Sequence, residues 1–117
     1  MVFNEKIKSI YLIAICGTGM ASLAGLLQKS GYRVTGSDTN IYPPMSTLLK
    51  SSGIDIKPGY QRKNINDDID QVIIGNAVSK DNLEVLAVQE KGIPYISFPE
   101  AIKKFYLKNQ KSLVITG

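Results

Sequence analysis

Two glycines that follow an apolar run are the residues of this chain best suited to ligand chemistry. Residues 10–16 are apolar, Gly17 and Gly19 come directly after them, and apolar residues at helical spacing follow. A loop of this kind can hold a phosphate group, because glycine lets the backbone approach a ligand and the next helix presents unpaired N–H groups. Asp38 lies about twenty residues further on, where dinucleotide-binding folds place a carboxylate for ribose hydroxyls. The pattern predicts that the chain binds a nucleotide or a sugar nucleotide.

The glycine pattern also permits readings without a ligand. Ser22 stands where the dinucleotide fingerprint has its third glycine. The alternative for Gly17 and Gly19 is therefore a tight turn between a strand and a helix, and the alternative for Asp38 is a cap of the turn after its strand. Cys16, next to the loop, is expected to be a small buried residue rather than a reactive thiol.

Composition excludes several classes of chemistry. The 117 residues contain no histidine and one cysteine. This excludes Ser-His-Asp and Cys-His catalysis and zinc sites that use imidazole, and it leaves no internal disulfide. We expect no catalytic residue and no metal site within the chain. The single thiol is typical of a reducing compartment and predicts a cytoplasmic protein.

The distribution of charge and apolar residues argues against two kinds of partner. The net charge is +4, and the lysines are scattered along the chain. Nucleic-acid-binding proteins concentrate positive charge on one face, so we expect no nucleic-acid partner. No apolar run has the length needed to span a bilayer, so we expect no membrane partner.

The hydrophobic pattern alternates between strand spacing and helix spacing. It predicts an α/β protein with a Rossmann-like, doubly wound, mainly parallel sheet in a single domain. Strands are expected over residues 8–15, 32–36, 54–57, 71–75, 93–98 and 112–115, and helices over residues 20–29, 43–52, 82–91 and 99–108. Gly31, Gly53 and Gly92 end the first three helices, and Asp81 and Glu84 form a predicted capping box. The loops over residues 16–21, 37–42 and 75–79 should meet at the ligand site, because such sheets bind ligands at the carboxyl ends of their strands.

Several segments resemble the N-terminal domain of the Mur ligase family, which builds the peptide stem of bacterial peptidoglycan. The segments that carry the resemblance are Ile15-Cys-Gly-Thr-Gly-Met20, Val34-Thr-Gly-Ser-Asp38, Asn40-Ile-Tyr-Pro-Pro-Met-Ser-Thr-Leu-Leu49, Pro58-Gly-Tyr60, Ile74-Gly-Asn-Ala77 and Gly92-Ile-Pro-Tyr95. Within the family they are most similar to the ligase that attaches L-alanyl-γ-D-glutamyl-meso-diaminopimelate to UDP-N-acetylmuramate in cell-wall recycling. The ligase that attaches L-alanine is the alternative, and an NAD-binding Rossmann domain is another. Ala14 and Ser22 depart from the pattern of the L-alanine ligase, which has glycine at both positions.

The resemblance implies a division of the chain and a function for each part. Residues 1–110 would bind UDP-N-acetylmuramate, and residues 111–117 would begin the strand that leads to a central ATPase domain. ATP and Mg²⁺ would act in the full-length ligase with its central and C-terminal domains, and these 117 residues alone would hold no cofactor and catalyse nothing.

The resemblance and the strand ends together predict the contacts with the UDP-sugar. The backbone of residues 17–20 would hold the diphosphate, and the Tyr60 ring would contact uracil, with a plain surface tyrosine as the alternative. Asn76 would face the same crevice, with a turn-forming role as the alternative. The residues expected to contact the ligand are Gly17, Thr18, Gly19, Met20, Ser37, Asp38, Tyr60, Asn76 and Ala77.

Overall fold

Strands and helices alternate along residues 7–106, the part of the chain that the computed structural model describes. The strands are β1 (Ser9–Ile13), β2 (Arg33–Asp38), β3 (Asp55–Pro58), β4 (Gln71–Ile74) and β5 (Tyr95–Ser97). The α-helices are α1 (Thr18–Lys29), α2 (Met45–Ser51), α3 (Leu83–Lys91) and α4 (Phe98–Ala101), with a 3₁₀ helix at Arg62–Asn64 and a π-helical turn at Ile102–Tyr106. Three predictions fall outside the described residues. They are the strand over residues 112–115, the lead into an ATPase domain over residues 111–117 and the end of the helix over residues 99–108.

The five strands form one sheet in the order β3-β2-β1-β4-β5, and every pairing among them is parallel. This confirms the predicted fold class, a single Rossmann-like α/β domain. The direction in which strands are added reverses between β1 and β4. Open parallel sheets bind ligands beside such a reversal, at the carboxyl ends of the strands.

The central strand β1 is buried on both faces because helices cover both sides of the sheet. Ile10 and Leu12 belong to a hydrophobic cluster that includes residues of α1 and α2. Tyr11 and Ile13 belong to a second cluster that includes residues of α3. Successive side chains of a strand point to opposite faces, so a strand covered on both sides becomes a continuous apolar run.

The predicted capping box at the start of α3 is wrong. Asn82 is the N-cap, and its side-chain oxygen accepts a hydrogen bond from the backbone N–H of Glu84 at 2.8 Å. Asp81 instead accepts a hydrogen bond from the Ser79 hydroxyl at 2.6 Å. The Glu84 side chain does not return to the helix start, because it is buried among other polar groups.

The fourth helix begins at Phe98, one residue before the predicted start, with a capping box between Ser97 and Glu100 that sequence analysis missed. Its α-helical part ends at Ala101. The chain continues as the π-helical turn, where the buried ring of Phe105 meets Tyr32 edge-on at 5.7 Å between ring centroids. This contact packs the C-terminal end of the described chain onto the α1 side of the sheet.

Candidate functional site

A cleft of about 660 Å³, which we call the carboxyl-end cleft, opens where four strands end. Its walls come from the segments that follow β1, β2, β3 and β4. The volume is within the range of roughly 300–1,000 Å³ that small-molecule sites occupy. The lining residues are Ala14, Cys16, Gly17, Thr18, Asp38, Thr39, Asn40, Tyr60, Ala77, Val78, Ser79 and Asn82.

A larger cleft of about 870 Å³ lies at the amino ends of the strands and includes Lys8, Arg33 and Asp70. We assign the functional site to the smaller carboxyl-end cleft, although its volume is lower. In a parallel sheet the helix N-termini and the variable loops converge at the carboxyl ends of the strands, so the groups that bind anions are found there.

Ala14 makes the sharp turn after β1. Its φ is +72°, and it is the one non-glycine residue with a positive φ among residues 7–106. The turn directs the N–H groups of Ala14 and Ile15 to a single acceptor, the Ser37 carbonyl, at 2.8 and 3.0 Å. Gly17, for which a tight turn was the alternative to ligand binding, has φ −62° and ψ 148° and is the N-cap of α1. The strained position therefore lies three residues before the predicted one.

Side-chain packing also favours glycine at position 19, in addition to the ligand approach that was predicted. A Cβ atom built at Gly19 would lie 2.7 Å from Cζ of Phe98, at the start of α4. At Gly17 the nearest atom to such a Cβ would be the Ala14 carbonyl oxygen at 3.6 Å, an ordinary contact. The missing side chain of Gly19 thus makes room for an aromatic ring, and Gly19 does not line the carboxyl-end cleft.

The N-terminus of α1 is open toward the loop. No side chain caps it, and its first turn contains no acidic residue. The N–H of Ala21 donates to the Gly17 carbonyl at 2.7 Å, so helix geometry leaves the N–H groups of residues 18–20 without partners inside the helix. Met20 is 5% exposed and its side chain belongs to the core, so this side chain offers no contact to a ligand. An anion at this end would gain roughly 0.3–1 kcal/mol from the helix dipole.

The Asp38 carboxylate ties the two loops of the cleft together. One oxygen accepts a hydrogen bond from the Cys16 N–H and the other accepts one from the Asn40 N–H, both at 2.9 Å. This is the turn-capping role given above as the alternative to ribose binding, and the side chain is only 5% exposed. Burial, followed by the charge of Asp38, raises the pKa of the Cys16 thiol. The thiol is thus held in its neutral, less nucleophilic form.

Tyr60 lines the carboxyl-end cleft together with residues of the β1–α1 loop. Its ring is half-buried against the hydrophobic cluster on the α3 side of the sheet. Burial, and then the nearby Asp38 carboxylate, raises the pKa of the phenol, so the ring stays neutral. A neutral aromatic ring at a cleft wall is suited to stacking on a nucleobase.

The nine residues expected to contact the ligand divide between the cleft and its surroundings. Gly17, Thr18, Asp38, Tyr60 and Ala77 line the carboxyl-end cleft, whereas Gly19, Met20, Ser37 and Asn76 do not.

Ser37 and Asn76 face elsewhere. Ser37 is fully buried, and its hydroxyl donates to Glu84 Oε1 at 2.5 Å. The structure corrects the prediction for Ser37, because a fully buried side chain offers no surface to a ligand. Asn76 is exposed and borders a neighbouring cleft of about 290 Å³ with Ser97 and Glu100. Which of the remaining residues contact a ligand stays a prediction.

Sequence reasoning missed Glu84, the most deeply placed acidic residue of the described chain. Its side chain is 0% exposed, and its carboxylate accepts four hydrogen bonds. A signal was present, because Glu84 precedes the buried Val88 by four positions and therefore lies on the inner face of α3.

Residues 7–106 bring together no group of three or more histidine, cysteine, aspartate or glutamate side chains that could hold a metal ion. Within the same range, no helix combines the length and the apolar character that crossing a membrane requires.

Comparison with known proteins identifies relatives along nearly the whole chain. The family profile described as "Mur ligase family, catalytic domain" matches residues 9–109. The UDP-N-acetylmuramate–L-alanyl-γ-D-glutamyl-meso-2,6-diaminoheptandioate ligase of Escherichia coli K12 is 46% identical over 108 residues, which are 92% of this chain and 24% of that protein. The UDP-N-acetylmuramate–L-alanine ligase of Lactobacillus acidophilus is 42% identical over 114 residues, which are 97% of this chain and 26% of that protein.

A solved structure has the same fold. The crystal structure of a murein peptide ligase from Psychrobacter arcticus superposes with a TM-score of 0.79 at 39% identity, and the match covers 84% of this chain and 20% of that one. The chain spans about a quarter of the length of the curated relatives described above.

Proposed function

Because this chain belongs to the Mur ligase family, we propose that residues 1–110 form a domain that binds UDP-N-acetylmuramate and that residues 111–117 lead toward an ATPase domain. The observation that carries the proposal is the carboxyl-end cleft, where the open N-terminus of α1 faces a wall that contains Tyr60. The diphosphate would lie on the N–H groups of residues 18–20, and uracil would lie against the Tyr60 ring. A cytoplasmic location, expected from the single thiol, is part of the same proposal.

We further propose that the full-length protein attaches a peptide to UDP-N-acetylmuramate. Identity to the Escherichia coli ligase that adds L-alanyl-γ-D-glutamyl-meso-2,6-diaminoheptandioate is 46%, against 42% for the L-alanine ligase of Lactobacillus acidophilus. The difference supports the tripeptide of cell-wall recycling as the second substrate, with L-alanine as the alternative. The new C–N bond would join the lactyl carboxylate of the sugar to the amine of the peptide.

ATP and Mg²⁺ do not fit the residues that the structure describes. Phosphoryl transfer needs groups that neutralise charge around the transferred phosphate, commonly Mg²⁺ and a lysine of a phosphate loop. Residues 7–106 supply no cluster of metal ligands, and Asp38, the carboxylate at the glycine loop, is occupied by backbone N–H groups. We therefore assign the ATP chemistry to the other domains of the full-length ligase.

The same geometry argues against an NAD-binding domain. A dinucleotide fold uses the carboxylate after its second strand to accept hydrogen bonds from ribose hydroxyls. Here both oxygens of Asp38 already accept backbone N–H groups, and Ser22 replaces the third glycine of the fingerprint. These two features favour a UDP-sugar over NAD.

Titration of the purified chain with UDP-N-acetylmuramate, UDP and NAD, followed by calorimetry or by NMR chemical shifts, tests the proposal. We expect dissociation constants of about micromolar to millimolar for the two uridine ligands, equivalent to roughly −8 to −4 kcal/mol, and weaker binding of NAD. Tyr60→Ala should weaken both uridine ligands. NAD bound more tightly than UDP would contradict the assignment of the cleft, whereas Tyr60→Ala without effect on UDP would contradict only the placement of uracil against the Tyr60 ring.

A further inference from the structure

Glu84 is the centre of a buried polar network that links three parts of the fold. Its Oε1 accepts hydrogen bonds from the Tyr11 hydroxyl in β1 at 3.1 Å and from the Ser37 hydroxyl in β2 at 2.5 Å. Its Oε2 accepts hydrogen bonds from the Gln61 N–H at 3.1 Å and from the Asn64 side-chain amide at 2.7 Å. All four partners are uncharged, so hydrogen bonds alone offset the cost of removing this carboxylate from water.

The network holds the segment that carries Tyr60. Before Tyr60, the Gly59 N–H donates to the Asp38 carbonyl at 2.9 Å. After Tyr60, the Gln61 N–H donates to Glu84, and the Asn64 amide bridges Glu84 to the Gly59 carbonyl, which it reaches at 3.3 Å. The backbone is thus hydrogen-bonded both before and after Tyr60, and after Tyr60 the acceptor is the Glu84 carboxylate.

The same carboxylate reaches the opposite wall of the cleft. Ser37, which donates to Glu84, is followed directly by Asp38, whose side chain binds the Cys16 N–H of the β1–α1 loop. One buried group therefore connects the ring wall and the loop wall of the carboxyl-end cleft without itself being exposed to a ligand.

We propose that Glu84 is a positioning residue, whose hydrogen bonds to Gln61 and Asn64 set the place of the Tyr60 ring and thereby the affinity of the cleft for a nucleobase. The inference rests on the proposed function, because it takes Tyr60 as the base contact. It concerns the base, because the hydrogen bonds from Gln61 and Asn64 to Glu84 hold only the segment that carries Tyr60, whereas the link to the β1–α1 loop runs separately through Ser37 and Asp38.

The experiment removes the hydrogen bonds of Glu84 to the Tyr60 segment and to strand β1 in separate variants. Asn64→Ala removes a donor on the Tyr60 side, and Tyr11→Phe is the matched control that removes a donor on the strand side. Each variant is titrated with UDP and with inorganic pyrophosphate, and its melting temperature is measured. Asn64→Ser, which is too short to reach Glu84, is used if the alanine variant is not folded at the temperature of the titration.

We expect Asn64→Ala to weaken UDP binding about five- to tenfold and to leave pyrophosphate binding within about twofold of the unchanged chain. Tyr11→Phe should lower the melting temperature while UDP affinity stays within about twofold. In a Tyr60→Ala background, Asn64→Ala should change UDP affinity by less than about twofold, because the ring that it positions is gone.

Three results would overturn the inference without removing the proposed function. Equal losses of UDP affinity in Asn64→Ala and Tyr11→Phe would indicate a general loss of stability. The same fold-change with and without Tyr60 would show that the network does not act through the ring. If Tyr60→Ala alone left UDP binding unchanged, the inference would fall while the phosphate site could stand. Failure of the unchanged chain to bind UDP would instead remove the proposed function itself, and this inference with it.

Discussion

Valine substitutions at the two loop glycines should affect different properties. Gly19→Val should lower stability, and Gly17→Val should lower ligand affinity. A Cβ at position 19 would lie 2.7 Å from the Phe98 ring, closer than real Cβ contacts permit, so Gly19→Val forces the ring to move. Overpacking of a core costs about 1–3 kcal/mol, and we expect the lower end here because the clash is with the tip of the half-buried Phe98 ring. In a domain of this size, 1 kcal/mol lowers the melting temperature by about 4–8 °C. We therefore expect Gly19→Val to lower the melting temperature by several degrees.

Gly17→Val should mainly affect binding. The backbone at Gly17 has φ −62°, which any residue adopts, and a Cβ there would meet no atom closer than 3.6 Å. Valine is a poor N-cap, so we expect a small loss of stability, about 0.5–1 kcal/mol. Its methyl groups would occupy the cleft beside the first turn of α1 and should weaken UDP-N-acetylmuramate about tenfold or more, equivalent to at least about 1.4 kcal/mol.

The assay combines thermal unfolding with ligand titration and includes a matched control in the same helix. Gly25 lies in α1 with no atom within 4 Å of a built Cβ, so Gly25→Val should change neither stability nor affinity appreciably. Phe98→Ala loses core packing of its own, but combined with Gly19→Val the total loss should be smaller than the sum of the two single losses, since the two positions are in contact. An unchanged melting temperature for Gly19→Val would refute the packing argument, and unchanged affinity for Gly17→Val would place the ligand away from the loop.

Three further predictions follow from the described residues. Ala14→Gly should stabilise the domain by about 0.5–1 kcal/mol in urea unfolding, because a positive φ costs a non-glycine residue about 1–2 kcal/mol and the flexibility of unfolded glycine offsets part of the gain; a loss of stability would contradict this. Saturating UDP-N-acetylmuramate should slow alkylation of Cys16, which lines the cleft, whereas unchanged labelling would indicate a ligand elsewhere. Hydrogen bonds from the Lys8 and Ser9 N–H groups lower the pKa of Asp70. The contribution of the Asp70 carboxylate to stability is therefore present above its pKa in the unfolded chain, about 3.9, and is lost as the pH falls through its lower pKa in the folded chain. Asp70→Asn should therefore flatten the decline of unfolding free energy below about pH 4, and an equal slope in both proteins would refute the assignment.

The order and type of the elements could be predicted because they depend on short-range patterns. Hydrophobic period and glycine placement act over a few residues, and Gly31, Gly53 and Gly92 indeed have positive φ values of 101°, 81° and 71° after the first three helices. The loop after β1 could be located for the same reason, since an apolar run that ends in glycines marks the end of a buried strand. Among the features that depend on such short-range patterns, the main error was the capping box at α3. The N-cap of that helix is Asn82 and not Asp81.

Tertiary structure alone decided which side chains meet. Glu84 accepts a hydrogen bond from Tyr11, 73 positions earlier, and Gly19 lies against Phe98 of α4. Such neighbours depend on strand order and register, which bring distant segments together and which local periodicity does not encode. Ser37 and Asp38 are adjacent in sequence but have different neighbours, because successive residues of a strand face opposite sides of the sheet. The sequence by itself therefore determined the type and order of the elements and the loops that line the cleft, and only the packing of β1, β2 and α3 decided that Ser37 is buried against Glu84 while Asp38 lines the cleft.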